Sequence, residues 1–366
     1  MSRNLNLAAA LVASTFALGT PDAAAQSPVD GALYTSTNEA IANSVVIYDR
    51  LADGTAVQSQ MVPTGGLGTG AALGNQGAVT LSSDQEFLFV VNAGSDDLSV
   101  FRVLEDGLAL VDLVPTRGDM PISVAQHGDL VYVVHEGDDS ITGFEQRADG
   151  SLVFIRGSRN RLSGQGTAPA QIGFSPDGDF LFVTERATQQ ISRFRVTRSG
   201  GSRRTAPIPA TGITPFGFEF GLRDQLIVSN GEMGMPDAGT VTSYEIDDVD
   251  GDLDVITGPL ALGETASCWI VMTPDRRIAF SSNTASATVS SLAVGFDGDL
   301  TLLDPEAATT GAGPRDMAVT PDGQFFYVLN EAGGGIGDYV IGPNGSLIGI
   351  PGSPAINVGS TGLAVR

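Results

Sequence analysis

Short apolar runs alternate with turn-forming polar clusters along this chain, and past its amino-terminal segment the pattern shows no helical period. Residues 87–91, 130–134, 180–183, 225–228, 278–280 and 325–329 are apolar runs of strand length. The turns before them include Pro176-Asp177-Gly178, Pro274-Asp275-Arg276 and Pro321-Asp322-Gly323, with looser versions at Ser83-Asp84 and His127-Gly128-Asp129. A second series runs in phase: Asp53-Gly54, Asp106-Gly107, Asp149-Gly150, Gly200-Gly201, Asp250-Gly251, Asp297-Gly298 and Asn344-Gly345. A two-residue type I′ hairpin needs positive φ at both positions, which Gly adopts freely and Asn or Asp better than other residues, so each pair marks a strand reversal. Six intervals separate Gly54 from Gly345, about 48 residues each, the length of one four-stranded propeller blade.

The pattern therefore predicts an all-β fold, a seven-bladed β-propeller of four-stranded blades. Each blade reads as inner strand, turn, second strand, polar loop, third strand, Asx-Gly turn and outer strand. The ends of the chain fit a closed ring. Residues 362–365 resemble the inner strands, whereas residues 32–37 read as a second strand. Pairing the C-terminal strand with the N-terminal blade closes the ring within one blade.

Residues 1–25 stand apart. Arg3, an apolar stretch at 5–18 and Ala23-Ala24-Ala25 have the form of a cleavable export signal, which leaves 26–366 as one propeller domain and predicts a periplasmic or secreted protein. No other stretch is apolar for long enough to cross a bilayer. The formal charge is -23, and all 19 basic residues are Arg. Such an acidic surface repels phosphate backbones and anionic lipid, which argues against nucleic-acid partners and membrane insertion. Cys268 is the single cysteine, so no intramolecular disulfide is available and closure rests on strand pairing. A monomer is expected.

Because adjacent strands of a blade are antiparallel, the start of the inner strand and the end of the second meet on one face. Entry to the inner strand is occupied by Gln76, Ile122, Ala170, Phe216, Cys268, Arg315 and Thr361. The second strand ends at Asn38-Glu39, Asn92-Ala93, His135-Glu136, Glu185-Arg186, Asn230-Gly231, Asn283-Thr284 and Asn330-Glu331. One blade stands out, since Gly313-Pro314-Arg315 is followed sixteen residues later by Glu331, which sets a guanidinium beside a carboxylate at the channel mouth.

The stretch "GPRDMAVTPDGQFFYVLNE", residues 313–331, resembles the GPR, turn, NE signature of the seven-bladed propeller lactonases, the family of 6-phosphogluconolactonase and carboxymuconate-lactonizing enzyme. The repeat-level likeness covers most of the mature chain, and the specific motif covers one blade. The resemblance implies that Arg315 and Glu331 act together with a His from a neighbouring PH motif and a second Arg from a following blade. Here the sequence departs from the family: Cys268 stands at the His position and Thr361 at that of the second Arg. If Arg315 is instead the second Arg, the first falls on Cys268 and its carboxylate partner on Thr284.

Lactone opening needs a base to activate water and a donor for the developing oxyanion. Glu331 or Glu136 is the candidate base, with Arg315 as the oxyanion's partner. His135 is the alternative base, its pKa raised by Glu136 beside it. His127 lies at a turn on the opposite face and is expected to be exposed. Cys268 has no His in its blade to activate it and reads as a structural thiol. Glu39, Glu136, Asn92, Asn230 and Asn330 are hard oxygen donors that would suit a divalent cation such as calcium. The acidic run 247–254 lacks two essential EF-hand ligands, and the glycine cluster 65–70 lacks the Lys of a phosphate loop and reads as a flexible link between blades.

Two functions follow. One is an exported hydrolase that opens a small unphosphorylated lactone, or, by microscopic reversibility, a lactonizing cycloisomerase. The other is a non-catalytic propeller binding a protein or carbohydrate partner, since strings such as "LFVVNAGSDDLSVF" also resemble the YVTN-type repeats of bacterial surface proteins.

Overall fold

The computed structural model describes residues 27–352 and 354–366, so the expected export signal at 1–25 lies outside the described residues. Among the described residues thirty strands form seven antiparallel sheets, the blades of a propeller, with only two short 3-10 turns beside them. We number the blades from the amino terminus. The inner strands are Thr361–Val365 in blade 1, then Val79–Leu81, Pro121–His127, Pro169–Phe174, Pro215–Phe220, Ser267–Met272 and Pro314–Val319 in blades 2 to 7.

The ring closes as the sequence predicts. The inner strand of blade 1 comes from the C-terminal end and pairs with Val29–Ser36, placing Leu33 opposite Val365 and Tyr34 opposite Ala364. Seven apolar clusters fill the ring, one for each seam between neighbouring blades. At the closing seam Leu33, Val46 and Leu363 of blade 1 pack on Tyr327 and Leu329 of blade 7. Second strands are buried on both faces, which explains why they read as unbroken apolar runs rather than alternating ones.

Both turn series sit where expected. In the inner turns a hydroxyl of Ser82, Ser175, Thr273 or Thr320 donates to the Asp two residues on at 2.5–2.6 Å. The same hydroxyl accepts the N–H that opens the second strand, from Phe87, Phe180, Ile278 or Phe325. The outer turns differ from expectation in type. Only Asn344-Gly345 has positive φ at both positions. In Ala52-Asp53-Gly54 and Ala148-Asp149-Gly150 the Asp is not left-handed; a type I turn is followed by a left-handed Gly whose N–H donates to the residue three back, giving three-residue loops. A left-handed Gly still marks the reversal in six blades, whereas in blade 2 Leu104 pairs with Gly107 and the turn is Glu105-Asp106, one residue earlier than expected.

Candidate active site at the channel mouth

Five blades open their inner strand with one device. A residue with left-handed φ, namely Met120, Ala168, Thr214, Ala266 or Gly313, precedes the strand. Its carbonyl accepts the N–H of the residue just past the second strand, respectively Glu136, Arg186, Gly231, Thr284 and Glu331. A β-bulge follows at once: Pro121 pairs His135 and Ser123 pairs Val134, leaving Ile122 extra, and the register shifts likewise at Ala170, Cys268 and Arg315. Bulges re-aim side chains. Here the bulged positions are those that sequence alignment assigned to strand entry.

The second ring splits in two. Its first member is buried between blades: Asn92, His135, Glu185, Asn230 and Asn283 show no exposure and Asn330 only 4%. Asn92 Nδ2 donates to Asp97 Oδ1 at 2.6 Å and Ser99 Oγ at 2.8 Å, and Asn283 Nδ2 reaches Thr288 and Ser290 in the same way. These side chains clasp the third strand of their own blade. Only the next residue faces the mouth. In blade 1 the register is one residue earlier than the sequence alignment placed it, because Thr37 pairs with Ser44, which moves Glu39 out along the loop.

His135 therefore does not reach the mouth. Its Nδ1 lies 3.1 Å from the Ser140 carbonyl, its Nε2 is buried without a partner, and Gly118 packs on the ring. Burial pushes its pKa down to about 4, the opposite of the direction expected from Glu136 beside it in sequence. His127 is half-buried rather than exposed, its ring 5.6 Å from that of Phe174.

What does assemble is an arc across blades 3 to 7. Glu136 Oε1 meets Arg186 Nη2 at 3.1 Å, and Arg186 lies over the Phe216 ring at 5.5 Å. Phe216 packs against Trp269, with ring centroids 4.6 Å apart. Arg315 lies over Trp269 at 5.8 Å, and its Nη2 meets Glu331 Oε2 at 3.4 Å. The order is carboxylate, guanidinium, ring, ring, guanidinium, carboxylate. The four charged side chains keep 15–26% of their surface exposed. Cys268 sits between the two arginines and hydrogen-bonds Thr284; burial pushes its thiol up to about 12, against the lowering pull of Thr284 and both guanidiniums. A protonated thiol is no nucleophile. Burial also raises the pKa of Glu136, with Arg186 opposing.

The arc stands on a floor that the sequence did not reveal. Residues 73–76, in the link from blade 1 to blade 2, cross the channel. Trp269 Nε1 donates to the Asn75 carbonyl at 2.7 Å, Thr361 Oγ1 donates to Asn75 Oδ1 at 3.0 Å, and Asn75 Nδ2 donates to the Ile122 carbonyl. Gln76 pairs through its carboxamide with the backbone of Ile270, donating at 2.7 Å and accepting at 3.1 Å. Arg315 Nη1 donates to the Leu73 carbonyl at 3.3 Å, while the guanidinium of Arg186 lies so close to Gly74 that a Cβ there would collide with it. Both arginines thus rest on adjacent residues of one segment.

The remaining candidates lie elsewhere. Glu39 Oε1 accepts from Asn357 Nδ2 at 2.7 Å, on the segment whose Gly359 N–H donates to Glu331 Oε1 at 3.3 Å. Asn92, Asn230 and Asn330 are buried as described, and Glu136 and Glu331 are paired with arginines. The donors considered for calcium do not converge, and among the described residues no group of three or more His, Cys, Asp or Glu is placed to hold a metal. Arg186 is the member of this arc that the sequence argument did not single out. Glu136, Arg186 and Glu331 are the only charged residues at the mouth-facing position just past the second strand in blades 2 to 7, a signal that aligning the repeats contains.

Known proteins agree with this architecture. A family model for seven-bladed β-propeller lactonases matches residues 27–160 and 122–269. A Staphylococcus aureus (strain USA300) protein of uncharacterized function is 40% identical over 83 residues, 21% of this chain and 24% of that relative, so the match spans about a quarter of the relative's length. A Bacteroides uniformis crystal structure, provisionally assigned as a 6-phosphogluconolactonase, superposes with a TM-score of 0.73 at 21% identity, covering 92% of this chain and all of that one. The Pseudomonas aeruginosa periplasmic gluconolactonase superposes at 0.70 with 18% identity, covering 92% and 98%. At such identities the superpositions speak to fold alone, whereas the family model spans more than half of the sequence: the chain belongs to the seven-bladed β-propeller lactonase family.

Proposed function

We propose that the protein is an exported lactonase that opens a small, unphosphorylated lactone at the channel mouth. The observation that carries this reading is the pair of Arg–Glu couples facing each other on one floor, each partly open to solvent. Glu331 takes a proton from a water as that water attacks the lactone carbonyl, and the carbonyl oxygen, becoming an oxyanion, is met by N–H groups of Arg315 and Arg186. Collapse of the tetrahedral intermediate breaks the bond to the ring oxygen. That oxygen leaves with a proton from a carboxyl group, for which Glu136, with its raised pKa, is suited. The product is the open hydroxy acid.

Charge favours a neutral substrate. Each guanidinium already has a carboxylate partner, so the arc offers no uncompensated positive charge to a phosphate dianion, and the chain as a whole carries -23. Export is part of the proposal and rests on the signal-like residues 1–25. A second reading, a propeller that binds a partner without catalysis, draws on exposed apolar side chains on the mouth face, Ile41 at 88%, Val358 at 81% and Met233 at 69%.

The test is hydrolysis of a panel of neutral and phosphorylated lactones by the purified chain, with and without chelator. Turnover of a neutral lactone that survives chelator and disappears in Glu331→Gln is expected. Turnover unchanged in that variant would remove Glu331 from the mechanism, and no turnover across the panel would favour the binding reading.

A further inference from the structure

Six of the seams between blades are closed by one device. The residue that opens a second strand, Phe87, Leu130, Phe180, Gln225, Ile278 or Phe325, packs on the outer-turn glycine of the next blade. The approach is so close that a Cβ on Gly150, Gly200, Gly251, Gly298, Gly345 or Gly54 would collide with it. In blades 3 and 7 a Tyr two residues further on adds a bond, Tyr132 and Tyr327 donating to the Gly200 and Gly54 carbonyls at 2.7 Å. A guanidinium covers each phenylalanine of this set: Arg102 over Phe87 at 4.6 Å, Arg195 over Phe180 at 5.2 Å and Arg50 over Phe325 at 5.8 Å.

The seam from blade 1 to blade 2 departs from this pattern. Tyr34 pairs with Ala364 of its inner strand as Tyr327 pairs with Ala318, so the place of the large side chain falls to Ala32. The blade 2 turn comes one residue early, and a Cβ on Gly107 would meet Gln60 of the blade 1 outer strand instead. Tyr34 is 1% exposed, and alone of the six tyrosines its hydroxyl has no hydrogen-bond partner among the described residues. Arg366 crosses the seam, its Nη2 donating to the Leu104 carbonyl at 2.7 Å, with no ring of the described residues beneath its guanidinium. A cavity of about 1100 Å³ opens here, lined by Ala32, Tyr34, Ile47, Leu104, Gly107 and Arg366 among others. Ser27 and Pro28, which lead into blade 1, are held on its outer turn by Asp53 and Ala52 and do not line the cavity.

We propose that this cavity is a second small-molecule site, for an amine that carries an aromatic ring. It lies on the face opposite the mouth, because inner strands start at the mouth and Arg366 follows the end of one. The ligand's ring takes the place that phenylalanine holds in three other seams, against Ala32 and beneath Arg366, where a guanidinium over a ring face is favourable. A hydrogen-bond acceptor on the ring meets the Tyr34 hydroxyl, which otherwise stays buried without a partner. The ammonium faces Asp49, Glu105 and Asp106, three lining carboxylates that form no salt bridge among the described residues. Asp30, the fourth carboxylate of the lining, is already paired with Arg50. This excess of carboxylates over the single lining arginine disfavours an anion. The volume is at the top of the range for small-molecule pockets and holds a ring together with its aminoalkyl chain.

The experiment is calorimetric titration of the wild-type chain, Ala32→Phe and Tyr34→Phe with tyramine. Its anionic counterpart 3-(4-hydroxyphenyl)propionate and 2-phenylethylamine, which lacks the hydroxyl, are titrated beside it. Ala32→Phe fills the cavity from within, and Tyr34→Phe, which keeps the ring, serves if Ala32→Phe fails to fold. Saturable tyramine binding is expected, stronger than that of the acid, at least tenfold weaker in Ala32→Phe and about fivefold weaker in Tyr34→Phe. Binding of 2-phenylethylamine should not change in Tyr34→Phe, and lactone opening should be unchanged in both variants. Absence of saturable binding, equal tyramine binding by the two variants and wild type, or an acid that binds as tightly as the amine would overturn the proposal. So would a tyramine-soaked crystal in which only water, or the chain before Ser27, occupies the cavity.

Discussion

Asp338 offers a quantitative test of how blade 7 is joined to blade 1. It is 2% exposed, its Oδ2 accepts the Ala56 N–H of blade 1 at 3.1 Å, and its Oδ1 is buried without a partner among the described residues. Burial pushes its pKa up to about 7, with the Ala56 hydrogen bond pulling the other way. A carboxyl whose pKa is raised on folding binds more proton in the folded state, so stability falls as pH rises from the unfolded value near 4 to about 7, and the full cost persists above that. A shift of about three units corresponds to about 4 kcal/mol. Asp338→Asn keeps an acceptor for Ala56 and cannot ionise. Relative to wild type it should gain stability as pH rises from 4 to 7 and hold that gain at pH 8. With an unfolding entropy of about 2 cal/mol/K per residue, the gain is about 5 °C in Tm. Thermal unfolding of both proteins at pH 4, 6 and 8 reads it. A Tm difference that is the same at all three values would refute the argument, because then the carboxyl does not titrate on folding.

His135 should behave with the opposite sign. Its pKa is lowered to about 4, so it favours the folded state above its unfolded pKa near 6.5, and that contribution is lost as pH falls from about 6.5 to about 4. His135→Asn, which installs the clasp residue of neighbouring blades opposite the buried, unpartnered Thr142 hydroxyl, should flatten this acid limb in a pH series of Tm values. Gly74→Ala should push Arg186 off Glu136 and lower kcat/KM by at least tenfold while moving Tm by only a few degrees, as steady-state kinetics and a melt on one preparation will tell. Trp269→Phe keeps the ring under Arg315 but leaves the buried Asn75 carbonyl without its donor, at a cost of about 1–3 kcal/mol in denaturant unfolding.

The architecture is legible in the sequence because it is written in local chemistry. Asx-Gly and Pro-Asp-Gly turns work through backbone preferences that need no tertiary context, and their spacing gives the blade count and the closing strand. Arg315 and Glu331 are likewise legible, since both sit at repeat positions that the turns define. The rest depends on one-residue shifts. Side chains alternate faces along a strand, so of His135 and Glu136 only one can face the mouth, and the bulge that sets which one leaves no mark in composition. The floor at residues 73–76 is hidden for another reason. Its partners, Ile122, Trp269, Ile270 and Thr361, lie in other blades, and long-range contacts of a link between repeats leave no periodic trace.

In the proposed mechanism Glu331, not His135, performs the proton transfer at the mouth. The most direct measurement is kcat/KM for opening of one neutral lactone by wild type, Glu331→Gln and His135→Asn at pH 7. General base catalysis contributes about 10²–10⁴-fold, so Glu331→Gln should fall by at least 100-fold while His135→Asn stays within about twofold of wild type. A Glu331→Gln enzyme as active as wild type, or a His135→Asn enzyme that is inactive though folded, would contradict it.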